Sequence, residues 1–172
     1  VRPPVTDPTD HAAQGARVDG KGDVVSRAEL EEFMKRVVPV AERLLETDGD
    51  FHPFAAAMSG TGEIVLLGPR DEGERESAAG LIQGLVTRLR AGVEEQGFRA
   101  TALLLDVRVV PPEATEESDA IRAVLEHVNG AKLDVFIPYR IEDDGKVEYG
   151  RLFAVEGISL VFASDPEVGT GR

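Results

Sequence analysis

No pair of neighbours constrains this chain more than Asn129-Gly130. Both residue types tolerate the positive φ that a tight hairpin demands, and the pair stands between two apolar runs. Ala120 to Val128 lies upstream, and Leu133-Asp134-Val135-Phe136-Ile137 lies downstream. Taken alone, the upstream run fits two shapes. Ile121, Val124, Leu125 and Val128 follow a helical period, while Ile121, Ala123 and Leu125 alternate as in a strand. The turn decides for a strand, because Asn-Gly joins two antiparallel strands.

The same punctuation recurs along the chain. Ser59-Gly60-Thr61-Gly62 separates a strand from Phe51 to Met58 from one over Glu63 to Leu67. Asp143-Asp144-Gly145 turns the chain back through Val147, Tyr149, Arg151 and Phe153, and Glu156-Gly157 introduces a short last strand, Ile158 to Phe162. Phe98 to Val110 reads as a long strand with alternating faces. Leu103, Leu105, Val107 and Val109 point one way; Ala102, Leu104, Asp106 and Arg108 point the other. The second face mixes charge with apolar residues, so the pattern predicts a sheet covered on one side only.

Two segments carry a helical period. Ser26-Arg27-Ala28-Glu29 has the form of a capping box. Leu30, Phe33, Met34, Val37, Ala41, Leu44 and Leu45 follow on one face, until Asp48-Gly49 stops the helix. Pro39 lies inside and predicts a kink near Lys35–Val38, or two abutting helices. A second helix from about Gly73 to Gln96 is capped by Asp71 and Glu74 and buries Ala78, Leu81, Ile82, Leu85, Val86, Leu89 and Val93. Gly80 and Gly84 each cost about 1 kcal/mol of helix propensity, which predicts a close backbone approach there.

The expected architecture is therefore α+β: a single antiparallel sheet of about five to seven strands, with both main helices packed on one face, in the order α-ββ-α-βββ(β). Residues 1–24 read as a flexible arm, 25–163 as one α+β domain and 164–172 as a flexible tail. The element order resembles the profilin-like and roadblock-type layout. That likeness is of order alone and implies no activity.

Charge narrows the choice of partner. Nineteen basic residues against 32 acidic ones give −13 at pH 7. Nucleic-acid backbones and anionic membrane surfaces are recognised by basic faces, so neither is an expected partner. There is no cysteine, which removes disulfides, thiolate metal sites and a cysteine nucleophile. No apolar run has the length of a membrane span or the form of a secretory signal, so a cytoplasmic, bacterial protein is the expectation.

Catalytic signatures are missing. Neither a P-loop nor G-x-G-x-x-G occurs, and no serine stands in G-x-S-x-G. Asp19 to Glu29 has the composition of half an EF-hand loop, but it is one residue short and carries Asp23 where the central glycine belongs. The three histidines, His11, His52 and His127, show no metal-ligand spacing. No cofactor and no metal site is expected, and the reading leans away from an enzyme.

The candidate binding residues are Asp106 and Arg108 on the polar sheet face, His52 and His127 at strand ends, and the tyrosines Tyr139 and Tyr149 flanking the Asp144-Gly145 turn. Arg122, Glu126, Asp134 and Arg140 are expected beside Asp106 and Arg108. The leading expectation is a non-catalytic protein-interaction module, partnered by another protein or by a second copy of itself as a homodimer. One alternative is an acidic inhibitor or immunity-type protein that neutralises a basic partner. Another is a small-ligand binder or hydrolase with a cleft using His52 and His127.

Overall fold

The computed structural model describes the backbone of residues 8–68 and 77–162, with side chains from residue 24 onward in those ranges. Among the described residues are two helices, α1 (Pro8–Asp48) and α2 (Ala78–Gln96). The strands are β1 (Phe54–Met58), β2 (Ile64–Leu67), β3 (Ala100–Val109), β4 (Ser118–His127), β5 (Lys132–Ile141), β6 (Val147–Tyr149) and β7 (Phe153–Glu156). All seven form one antiparallel sheet in the order β2-β1-β3-β4-β5-β6, with β7 also on β5. The α+β class and the element order agree with the sequence reading.

The hairpins explain the order. His127 donates its N–H to Ala131 O at 2.8 Å, leaving a three-residue loop that closes with Gly130 at φ 99°. Glu142 and Lys146 repeat the arrangement around Gly145 at φ 85°. A type I turn followed by a left-handed residue produces this loop, so glycine at its last position is what the backbone requires. Ala120 to Val128 falls almost wholly within β4, as the turn demanded.

The helices do not share a face. Leu30, Phe33, Val37, Ala41 and Leu45 of α1 pack on Ala102, Leu104, Ile121, Ala123, Leu125 and Val135. Leu85 and Leu89 of α2 pack on Ala55, Ala57, Leu103, Leu105 and Val124. Those two sets alternate along the strands, so the sheet lies between the helices. The expectation of both helices on one dry face is overturned. Its cause was to read Ala102 and Leu104 with Asp106 and Arg108 as a wet row, when only the far end of that row reaches solvent. Most of β3 is buried on both sides.

Helix α1 is longer than its capping box implied. It runs unbroken through Ser26, which is buried, and accepts a hydrogen bond from Asn129 Nδ2 at 3.2 Å. Ser26 therefore ties the helix to the β4–β5 turn and caps nothing. The division into arm, domain and tail turns on residues whose side chains, and at 1–7 and 163–172 whose backbone, lie outside the described set. One continuous helix also passes Pro39. That residue is exposed, so the carbonyl it leaves unbonded one turn back, at exposed Lys35, can bond water.

Helix α2 begins later than expected. Ser77 is its N-cap, accepting from Gly80 N at 3.1 Å; the expected caps, Asp71 and Glu74, lie outside the described residues. The predicted close approach is not at Gly84, where an added Cβ would meet open space. It is at Gly92, where a Cβ would stand 2.2 Å from the ring of Phe98.

The returning strand is interrupted. Tyr139 pairs with Tyr149 and Phe136 with Phe153, so one extra residue is accommodated between Tyr149 and Phe153. Such a bulge bends the edge and splits it into β6 and β7. Beyond β7, the strand expected over Ile158–Phe162 does not form. The chain leaves the edge at Gly157, packed so closely on Lys132 that a Cβ would come within 2.5 Å of it, and crosses the α2 side of the sheet.

Candidate functional site

The register separates residues that the sequence placed together. Asp106 is opposite Ile121 and Arg108 opposite Asp119, on the α1 side. Arg122 is opposite Phe136, Val124 opposite Asp134 and Glu126 opposite Lys132, all on the α2 side. The single polar face expected to unite Asp106, Arg108, Arg122, Glu126, Asp134 and Arg140 does not exist.

Asp106 and Tyr139 do meet. The Tyr139 hydroxyl donates to Asp106 Oδ1 at 2.6 Å, beyond the end of the α1 core. Burial raises the Asp106 carboxyl above the usual carboxylate range, against the lowering effect of the tyrosine bond. Burial also drives the Tyr139 phenol far above its ordinary value, and the Asp106 bond and charge add to it. Tyr149 lies opposite Tyr139 and reaches the Glu42 carbonyl at 3.5 Å. Burial, with the charges of Glu42 and Glu46, pushes its phenol up to about 12. These groups are poorly suited to proton transfer near neutrality, since both phenols stay protonated. Arg108 makes an exposed ion pair with Asp119 at 3.4 Å.

The two histidines stand toward opposite ends of the strands. His127 is opposite Ala100, whereas exposed His52 precedes β1, whose first residue is opposite Leu104. The fold does not bring them into one cleft. His127 is buried, with both ring nitrogens in use. Nδ1 accepts from Asn129 N at 3.1 Å, which leaves Nε2 to donate to Glu29 Oε2 at 3.0 Å. Glu29 also pairs with Arg99, whose guanidinium reaches the Gly60 carbonyl at 3.0 Å. The cluster fastens α1 to two turns and has no free functional group. Ser59 likewise serves its turn: its hydroxyl accepts from Glu63 N at 3.1 Å.

Glu126 is a buried carboxylate of the α2 side. It accepts from Ser159 Oγ at 3.1 Å, Leu160 N at 2.9 Å, Val161 N at 2.9 Å and Phe162 N at 3.4 Å. Arg90 of α2 donates to Leu160 O at 2.8 Å. The segment 159–162 is thus a strap from the sheet to α2, held by one charge and closely satisfied.

The remaining surface of that side is different. Helix α2 packs over β1, β3 and Val124 of β4 and leaves the rest of β4, with β5 and β7, without a covering helix among the described residues. Neighbouring strands are about 4.8 Å apart, so three of them make a floor roughly a helix diameter wide. Phe136 and Phe153 stack on it with centroids 5.0 Å apart and planes 9° apart. The Arg122 guanidinium lies 5.4 Å over the Phe136 ring and is oriented by Asp134, at 3.0 Å from Nε and 2.6 Å from Nη2. Beside Phe153, a cavity of about 460 Å³ opens between Pro111, Pro112, Glu113, Pro138, Arg151 and Leu152. Leu152 and Val155 are 45% and 48% exposed. The strap bounds this trough at one end, and the Pro111-Pro112 loop bounds it at the other.

The sequence reading missed this trough. Its one available signal was Phe136 at even spacing from Arg122's partner Asp134, but assigning those residues to a face needed the β4–β5 register. Among the described residues, no cluster of His, Asp and Glu has the arrangement of a metal site, and no helix is long and apolar enough to cross a membrane. Compared with family models, with curated proteins and with solved structures, the chain matches none. The profilin-like and roadblock-type likeness therefore stays one of element order.

Proposed function

We propose that this protein is a non-catalytic protein-interaction module whose contact surface is the trough beside α2. One observation carries the reading: the stacked Phe136–Phe153 pair sits where helix cover ends, flanked by exposed Leu152 and Val155. Aromatic rings with an arginine laid over them are typical of the anchoring centre of an interface. The polar clusters elsewhere support it by contrast, because their groups bond to one another or to the backbone. The same reading keeps the protein in the cytoplasm, as expected from the sequence.

Photo-crosslinking in the producing cell tests the proposal. Benzoylphenylalanine at position 152 is expected to give a discrete protein adduct that Phe153→Ser abolishes. The same reagent at exposed position 95, on the outer side of α2, is expected to give none. Adducts equal from both positions, or none from 152, would end the proposal.

The reading as an acidic inhibitor of a basic partner draws on a different place. Asp50 and Asp119 lie near enough to Asp106 for their charges to help raise its carboxyl. That end of the sheet is the surface a basic partner would meet, and charge reversal there separates the two readings.

A further inference from the structure

We infer that the free edge of the sheet at β2 pairs with β2 of a second copy of this chain, antiparallel about a twofold axis at Val65. This contact is separate from the trough and does not depend on it. Among the described residues only β1 lies beside β2, which ends the sheet. The residues Ile64 to Leu67 carry no charge, and Val65 and Leu66 are 41% and 51% exposed. A sheet edge without a charge, a proline or a bulge is a template for another strand. The opposite edge is guarded. It carries Glu148, bonded to Arg140, and the bulge between Tyr149 and Phe153 breaks it.

Hydrogen bonding fixes the register. Ser59 donates its N–H to Glu63 O at 2.8 Å. Antiparallel pairs alternate, so Val65 and Leu67 also turn their backbone groups to β1. Met58 agrees, because its carbonyl accepts from Arg99 N on the β3 side. Ile64 and Leu66 therefore present N–H and C=O outward. The next outward carbonyl, that of Gly68, is taken by Arg88 Nη1 at 2.6 Å, and Gly62 on the other side lies in the turn at φ 90°. Centring the axis on Ile64 would draw on Gly62, and centring it on Leu66 would draw on Gly68. Centring it on Val65 sets Ile64 against Leu66 of the second copy, and every outward group of both residues finds a partner.

The side chains suit a second copy in that register. Ile64 packs with the α1 core and Leu67 with the α2 core, so Glu63, Val65 and Leu67 share the α2 side. The axis at Val65 places Glu63 of each copy opposite Leu67 of the other, next to the Gly68 carbonyl where Arg88 is anchored. Glu63 is exposed, and neither it nor Arg88 is in an ion pair among the described residues. The twofold thus supplies the same carboxylate–guanidinium contact twice. Each copy's charge of −13 opposes the approach, but charges more than about 8 Å apart are largely screened at physiological salt, and these pairs meet at contact. Leu85 and Leu89 of α2 pack on β1 and β3, inward of β2, so the joined β2 strands separate the two α2 helices.

The test uses the full chain at physiological salt. Because the chain has no cysteine, a single cysteine variant reports on one place. Val65 faces Val65 at a non-hydrogen-bonded position, where Cα atoms stand about 4.5 Å apart and within disulfide reach. Val65→Cys is expected to form an interchain disulfide under mild oxidation at least tenfold faster than Leu66→Cys, whose two copies are out of step along the strand. Val110→Cys, on exposed surface elsewhere, is expected to be as slow as Leu66→Cys. Sedimentation of the parent is expected to show a dimer that grows from micromolar to millimolar protein. Glu63→Lys is expected to weaken it at least threefold, and Glu95→Lys, the same change in net charge on the outer side of α2, less than twofold. Amide exchange at Ile64 and Leu66 is expected to slow as the protein is concentrated, with Val65 and Leu67 unchanged. A monomer at every concentration overturns the inference, and so does a Leu66→Cys disulfide as fast as that of Val65→Cys. Protection of Ile64 and Leu66 in dilute protein also overturns it, because the edge is then covered from within the chain. So does a dimer that survives Val65→Lys, which sets like charges face to face on the axis.

Discussion

Glu126 Oε2 accepts the backbone N–H of Val161 at 2.9 Å, across 35 residues of chain and in a site closed to solvent. Val161 itself is buried with Leu85 and Leu89 of α2. A single carboxylate therefore organises the strap whose side chain helps to seat the second helix. A charged acceptor bonded by several N–H donors is stable in such a place, whereas removing it strands those donors.

Glu126→Ala is expected to lower folding stability by about 2–4 kcal/mol, since the buried Val161 N–H and three part-buried donors lose their partner. Glu126→Gln keeps the shape but offers an NH2 to donors and is expected to cost about 1–3 kcal/mol. Urea denaturation measures both. Hydrogen exchange at Leu160, Val161 and Phe162 is expected to accelerate ahead of global unfolding; unchanged protection there would refute the strap.

The pair Asp134 and Arg122 predicts a similar asymmetry. Asp134 is 2% exposed, and among the described residues Arg122 is its only cationic partner. Arg122→Met leaves a buried carboxylate and is expected to cost about 3 kcal/mol, while Arg122→Met with Asp134→Leu recovers much of the loss. A double variant as unstable as the sum of its single changes would contradict the pairing.

Glycine substitutions in α2 should separate by position. Gly92→Ala is expected to destabilise by about 1–3 kcal/mol, because the new methyl meets the Phe98 ring. Gly84→Ala, into open space, is expected to stabilise by about 0.5–1 kcal/mol. Thermal melts of the two variants should shift in opposite directions.

The two tyrosines provide an optical measure of the α1 side. Absorbance at 295 nm is expected to show no phenolate at pH 10 in the folded chain, with Tyr149 ionising near 12 and Tyr139 only on unfolding. The linkage has a definite sign. Both phenols hold their protons more tightly when folded, so this contribution is full below pH 10 and is lost as pH rises through the folded values. Asp106 behaves alike at acid pH: its contribution is full below about 3.8 and is lost as pH rises through the raised folded value. Asp106→Asn is thus expected to be slightly more stable than the parent at pH 7, by less than about 1 kcal/mol given its partial exposure. That difference should vanish toward pH 3.

Local chemistry determined a good deal of this molecule. Asn129-Gly130 and Asp144-Gly145 encode their hairpins because the required φ is a property of a few residues. The stripes of Leu30 to Leu45 and Leu81 to Val93 encode helices because period is a property of one segment. Antiparallel class and element order follow from these. Other features required the tertiary structure. The side of the sheet that each helix covers depends on strand register, and a one-residue offset between β5 and its return strand changes which side chains share a face. The trough, the Glu126 strap and the Tyr139–Asp106 bond each join residues more than thirty apart or lie where a helix ends its cover. Such contacts belong to no segment, and only packing of the whole sheet creates them.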